Sequence, residues 1–324
     1  MVTLLPLEPY LAYANFPPIG GRAVDFHRPH WLAASTAGAL LVARDDGGRP
    51  LAALRLSRRA LESEHFGMAM AAIDTPIAVP GDELRLPALR ALYRAACDVL
   101  RADGYAHVSA VSSTQDRAAC WALQEAGCFH VGTKISWMAP LTGERRPYTL
   151  PAGLHIELHD RTTIPALARS SWRRLYEWSG RAFDRGPFVF DAGVPYERAA
   201  AVYQVWTEKA FTGEWAEVLL VVRAGDEIVA FNAMQRLPEL SAAAGAVILG
   251  RGIGASLPDH QGLFTALQLE CAAVRPLGSS YLENETQSAT VPSINVFGKL
   301  GHRCLRSIAS FHRRLDADAR SPAG

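Results

Sequence analysis

The sequence predicts an α/β (α+β) protein: two mixed β-sheets flanked by helices, one fold used twice. Three observations predict it. Two stretches read as β-hairpins, ALLVARDDGGRPLAALRL from Ala39 and EVLLVVRAGDEIVAFNAM from Glu217. Apolar runs flank an Asp-Asp-Gly-Gly turn in the first and an Ala-Gly-Asp turn in the second. Two further stretches read as strand, Thr-Gln, helix, Gly, strand. One starts at Tyr105 and carries Thr114-Gln115 and Gly127; the other starts at Tyr281 and carries Thr286-Gln287 and Gly301. Both pairs run in the same order, roughly 70 residues apart in each half, which is the mark of an internal repeat.

In chain order, residues 1–35 are rich in Pro, aromatics and His and read as loop plus one helix. After the first hairpin comes DTPIAVPGDELRLPAL, with prolines where a glycine turn would be expected, then an amphipathic helix from Pro87 to Ala102. Charged, Pro-flanked PLTGERRPYTLP reads as a linker. The expected organisation is therefore a first domain over 1–145, a linker over 146–153, a second domain over 154–315 and a disordered tail over 316–324. Late in the second domain AVILGRGIGASL is an apolar strand, broken by Pro258-Asp259-His260-Gln261-Gly262. Leu263, Leu267, Cys271 and Val274 then follow at helical spacing until Pro276 and Gly278. YLENETQ is a strand, SINVFGKLG a short helix and CLRSIASF a closing strand.

With 324 residues, 49% of them hydrophobic, the chain has room for two domains with large cores. A formal net charge of +1 gives no electrostatic case for nucleic acid or a membrane surface. Cys97, Cys120, Cys128, Cys271 and Cys304 show no disulfide or metal spacing and suit a reducing, cytoplasmic compartment. No signal peptide and no run of transmembrane length is expected. The ten histidines never fall at ligand spacing with Cys or Asp, so no metal is expected.

The strand–turn–helix–strand order from Gly245 resembles the acyl-CoA-binding half of the GNAT superfamily, the Gcn5-related N-acetyltransferases. There the turn after the fourth strand cradles the pyrophosphate of CoA, with the pattern Arg/Gln-x-x-Gly-x-Gly/Ala. Two placements compete. Leu249-Gly250-Arg251-Gly252-Ile253-Gly254 is nearer the pattern, but a helix starting there would meet Pro258, and an interior proline costs about 3 kcal/mol. The turn 258–265 is preferred and GRGIG is read as a bulged or closely approached strand. Ser256, Leu257, His260, Gln261, Gly262, Leu263, Phe264 and Thr265 are then the expected acyl-CoA contacts. The first half has no such cradle and reads as a degenerate copy.

Two more stretches, Glu62-Ser63-Glu64-His65-Phe66-Gly67 and the segment with Arg181, Phe183, Asp191 and Trp206, resemble dTDP-fucosamine (dTDP-4-amino-4,6-dideoxygalactose) acetyltransferases within that superfamily. This resemblance implies acetyl-CoA or another acyl-CoA as co-substrate and an amine on a small molecule, a nucleotide-linked amino sugar, as acceptor. The family's Thr-Gln matches Thr286-Gln287; its pantetheine-binding Asn falls on Thr290; its general-acid Tyr falls on Phe297, which has no proton to give. Glu283 and Glu285, on one face of YLENETQ with Asn284 on the other, are the candidate bases, Glu283 the more interior. A backbone N–H near Ser256–Leu257 is the expected oxyanion donor. Trp172, Tyr176, Trp178 and Phe183 crowd the segment that covers the acceptor in this superfamily. His260 is expected at the phosphate turn, His302 in packing and His312 at the surface. The competing reading is a non-catalytic GNAT-fold binding or scaffold protein that has lost the general acid. The repeat favours a monomer, the two halves forming an intramolecular pseudo-dimer.

Overall fold

The computed structural model describes residues 13–20 and 40–315; most of the N-terminal segment and the tail 316–324 lie outside the described residues. The chain forms two compact units that interleave along the sequence. Unit 1 comprises residues 1–135, 190–193 and 306–324, and unit 2 residues 136–189 and 194–305.

Unit 1 opens with the expected hairpin, β1 (Leu40–Arg44) and β2 (Pro50–Arg58). Helix α1 (Ala60–Phe66), strand β3 (Met70–Ile73), the short β4 (Ile77–Ala78) and α2 (Asp82–Ala102) follow. Helix α2 begins at Asp82, ahead of the expected Pro87, which sits inside it. A proline in the second turn gives up one bond, to the carbonyl four residues earlier, close to the helix end where the chain can adjust. Strand β5 (His107–Ser113), α3 (Arg117–Glu125) and β6 (Phe129–Pro140) complete the first strand–helix–strand stretch. Asp116 caps α3, accepting from the Ala119 amide at 3.1 Å while paired with Arg85. Strand β2 pairs antiparallel with β3, and β3 runs parallel to β5 over its whole length, Met70↔His107 to Ile73↔Ala110. Leu89, Tyr93 and Cys97 of α2 and Leu123 of α3 pack with Val108 and Phe311 in the apolar core.

Unit 2 repeats the plan. Strand β7 (Leu154–Asp160) precedes α4 (Arg169–Ala182) and α5 (Tyr196–Phe211). The hairpin β8 (Val218–Ala224) and β9 (Glu227–Arg236) leads to α6 (Pro238–Ala244) and β10 (Ile248–Ser256). Then come α7 (Leu263–Val274), β11 (Tyr281–Gln287), α8 (Val291–Leu300) and β12 (Arg303–Arg314). The strand order is β7-β8-β9-β10-β11, with β6 next to β11. Each unit takes its closing strand from the far half of the chain. Residues 136–140 of β6 belong to unit 2, and residues 308–314 of β12 pair antiparallel with β5 in unit 1. The segment read as a linker has no regular element, yet it is anchored within unit 2. Tyr148 donates to Glu270 Oε2 at 2.7 Å and Arg145 to Glu270 Oε1 at 2.8 Å. Burial, then the bond to Glu270, pushes the Tyr148 hydroxyl up to about 12.

GRGIG is strand, as its glycines require. The register of β10 against β9 shifts between Gly250 and Ile253, a bulge that holds Arg251 at φ +50°. A Cβ on Gly252 would lie 2.7 Å from the Ala233 carbonyl oxygen, and one on Gly254 2.7 Å from the Phe264 ring and 2.9 Å from the Phe231 oxygen. Gly252→Ala is expected to lower stability by about 1–3 kcal/mol, because the obstacle is backbone. Gly298→Ala, in α8 with nothing near the added carbon, should be neutral or stabilising by up to about 1 kcal/mol. Thermal unfolding of the two variants checks the contrast.

Candidate active site in unit 2

The parallel pair β10–β11 starts as β3–β5 does and then departs from it. It is joined only at Ile248↔Tyr281 and Leu249↔Leu282. From the bulge on, β10 stays with β9 through Ser256↔Ala230 and no longer pairs with β11. The two strands therefore part in unit 2 and stay paired in unit 1. Antiparallel ladders point successive residues' N–H and C=O groups to alternate sides. The Leu257 amide donates to the Val229 oxygen at 2.9 Å, so the backbone groups of Gly254 and Ser256 face the side away from β9. That corrects one expectation. Leu257 has spent its N–H inside the sheet, and the amides turned away from β9 are those of Gly254 and Ser256. The Ser256 carbonyl on that side accepts from the Trp178 indole at 3.1 Å, while the Ser256 hydroxyl is buried without a partner.

Beyond β10 the turn runs through a 3-10 turn at Pro258–His260 to Gly262, at φ +94°, and into α7. The first amides of a helix have no acceptor within it, and the helix dipole makes that end favourable for anions. Gln261 and Gly262 are exposed, Leu263 is buried, and Phe264 and Thr265 are half-buried. Thr265 N–H bonds the Gly262 oxygen at 3.0 Å, leaving the amides of 262–264 as the leading donors. Asp259 is tied to Arg174 at 3.2 Å, and half-buried His260 lies 4.0 Å from it.

On β11 the two candidate bases diverge. Glu283 is 3% exposed, whereas Glu285 is exposed and accepts from Ser136 at 3.1 Å. Asn284, on the other face, is buried and donates to Gln268 of α7 at 3.0 Å. Strand β11 lies between β10 and β6, so Glu283 is on an interior strand and not at an edge. Thr290 is half-buried at the N-terminus of α8 and makes no side-chain cap. Phe297, 2% exposed, stacks on His302 at 5.1 Å and meets Trp137 at 5.9 Å and Phe264 at 6.1 Å. Phe264 and Phe297 thus join the helices that follow the two parting strands. Of the aromatic group before the second hairpin, Trp172 is core, stacked on Phe211 at 4.9 Å, and Phe183 stacks on Tyr203 at 4.9 Å. Trp178, through Ser256, is the member tied to β10.

His312 is corrected outright. It is buried, and its Nδ1 lies 2.8 Å from Asp191 Oδ2, with His107 Nε2 at 2.8 Å from the same oxygen. All three residues belong to unit 1. The basic Arg313-Arg314 that follow suggested a surface; the pairing of β12 with β5 instead puts His312 inside. Burial opposes ionisation of Asp191, but the bonds from the two histidines outweigh it and hold its carboxyl well below the usual range. Burial likewise pushes His312 down, against the pull of Asp191. Three residues so far apart in sequence leave no spacing signal.

No protein-family model matches this sequence, and no curated protein matches it. Solved structures do. A GCN5-related N-acetyltransferase from Sphaerobacter thermophilus aligns at a TM-score of 0.55 and 15% identity, over 90% of this chain and 85% of that one. A tandem GNAT protein from the clavulanic acid biosynthesis pathway aligns at 0.48 and 15%, over 96% and 98%. A GCN5-related N-acetyltransferase from Kribbella flavida aligns at 0.46 and 12%, over 87% and 94%. The first establishes that the chain has the GNAT fold, a mixed α/β architecture. No helix among the described residues is long and apolar enough to cross a membrane.

Burial pushes the His302 imidazole down to about 4. Its folded value lies below the unfolded one of about 6.5, so its contribution to stability is complete above that pH and is lost as pH falls toward 4. His302→Phe, which keeps the stack on Phe297, should lose less stability than wild type between pH 6.5 and 4 in denaturant titrations.

Proposed function

We propose that unit 2 is an acyl-CoA-dependent N-acyltransferase that moves an acetyl or other acyl group from CoA to an amine of a small molecule. The parting of β10 from β11 carries this reading. It leaves strand backbone facing an opening, and an extended amide-bearing arm such as pantetheine can pair there as an added strand would. At the far end of β10 the leading amides of α7 and Gly262 suit the diphosphate, with His260 and Thr290 as further contacts. The fold likeness supports the same class of chemistry, and a nucleotide-linked amino sugar stays the acceptor implied by sequence resemblance.

Transfer from a thioester needs a neutral amine, a polarised carbonyl and a proton for the leaving sulfur. The outward amides of Gly254 and Ser256 serve the carbonyl. Glu283 is the base we assign, as the buried carboxylate of β11 beside the glycines of β10; Glu285 is the exposed second candidate. No proton donor stands at Phe297, so the thiolate, with an intrinsic pKa near that of a cysteine, about 8.5, is protonated by solvent. Most of the acceleration then comes from positioning.

Calorimetry with acetyl-CoA and longer acyl-CoAs should show one binding event per chain. No heat at millimolar ligand for any of them would remove the proposal and favour a binding or scaffold role. Phe297→Tyr offers a hydroxyl where the family keeps its acid. Acyl-CoA affinity should stay the same and turnover should rise, by up to about 100-fold. An unchanged or lower turnover in a folded variant would show that Phe297 serves packing alone, as its contacts with Trp137, Phe264 and His302 already do.

A further inference from the structure

In unit 1 β3 stays paired with β5, and this unit contains the most concentrated group of metal-binding side chains among the described residues. His107 begins β5, His312 lies near the end of β12, and Asp191 comes from the segment 190–193. The sheet fixes the two histidines. His312 is opposite Ser109, so His107 and His312 are diagonal neighbours on one face, with ring centroids 4.7 Å apart. Asp191 is set over them by its own turn, its Oδ1 accepting the Gly193 amide at 2.9 Å. That leaves Oδ2 facing both rings, 2.8 Å from His107 Nε2 and 2.8 Å from His312 Nδ1.

We propose that His107, Asp191 and His312 form a buried site for a divalent transition-metal cation, zinc being the natural occupant. Two imidazoles and one carboxylate are a donor set that zinc accepts. The three ligand atoms lie within 4.8 Å of one another. Ligands at the usual 2.0–2.2 Å in a tetrahedral site stand about 3.3 Å apart, so each nitrogen must draw back from Oδ2 by about half an ångström while the two nitrogens, now within 4.8 Å, close toward each other. Each neutral ring binds through the nitrogen that now faces Oδ2 and carries its single proton on the other. The charge balance also favours a cation. Asp191 brings a carboxylate to the two rings at relative exposures of 0%, 1% and 2% for His107, Asp191 and His312, and a buried carboxylate calls for a cationic partner. Arg59, whose charge is felt at His312, is itself paired with Glu62 at 3.1 Å. Three protein donors leave the fourth position of a tetrahedral ion to a water or another donor, and the burial of all three keeps the ion from bulk solvent. It would join segments 84 and 121 residues apart, where closing long loops stabilises most.

The full chain, purified without metal-chelating resin and dialysed against micromolar zinc, should carry about one zinc by elemental analysis. Cobalt put in its place should give the visible absorption of a tetrahedral site. Zinc should raise the unfolding temperature of chelator-treated protein. Asp191→Asn, which can still accept both hydrogen bonds, and His312→Gln should each abolish binding, cobalt colour and the zinc-dependent shift. Wild-type protein with no metal and no response to zinc or cobalt would overturn the proposal and leave a hydrogen-bonded triad. So would zinc retained in full by both variants, since the ion would then sit elsewhere. If neither variant folds, the metal content and zinc response of the wild type decide.

Discussion

The ladder between β9 and β10 is the constraint on which the candidate site depends. Two parallel strands that begin side by side stay together unless something turns one away. Here the bulge at Gly250–Ile253 does so, and the continued pairing of Ile253 to Ser256 with β9 holds β10 on its new course. The glycines of β10 belong to the same device. They let the backbone pass within contact distance of the Ala233 oxygen and the Phe264 ring, where any side chain would force the strands apart elsewhere. Unit 1 lacks the bulge at the corresponding place, and β3 stays paired with β5 throughout. The two units thus differ by a local backbone irregularity, and β10 parts from β11 where β3 stays with β5.

Much of this was legible in the sequence. Both hairpins, both strand–Thr-Gln–helix–Gly–strand stretches, and the reading of GRGIG as strand with a helix only after Gly262 follow from apolar periodicity and from proline and glycine positions. These are local signals. That Glu283 and Glu285 share a face, with Asn284 on the other, was also visible, since alternation along a strand fixes faces. It does not fix depth: residues of one face differed because Glu283 lies deep in the sheet and Glu285 does not.

What the sequence hid was long-range. Nothing local says that β12 closes unit 1, and without that fact His312 beside two arginines reads as surface. The direction of an amide is hidden for the same reason. Whether Leu257 or Ser256 turns its N–H to the opening depends on the register with β9, which one residue's slip would invert. The meeting of Phe297 with Trp137, Phe264 and His302 likewise joins four segments, and it explains why an aromatic without a hydroxyl is comfortable there.

The interleaving of the units bears on how such a protein can be taken apart. The sequence invites a cut near residue 150, where prolines and charges suggest a tether. A fragment ending there would keep β5 but lose residues 308–314, its hydrogen-bonded neighbour. The complementary fragment would lose residues 136–140 and leave Glu270 without Tyr148 and Arg145. Each fragment would expose an open sheet edge, the usual template for aggregation. Because each unit draws residues from both sides of such a cut, no single cut frees either of them, so either can change in sequence while neither can be discarded.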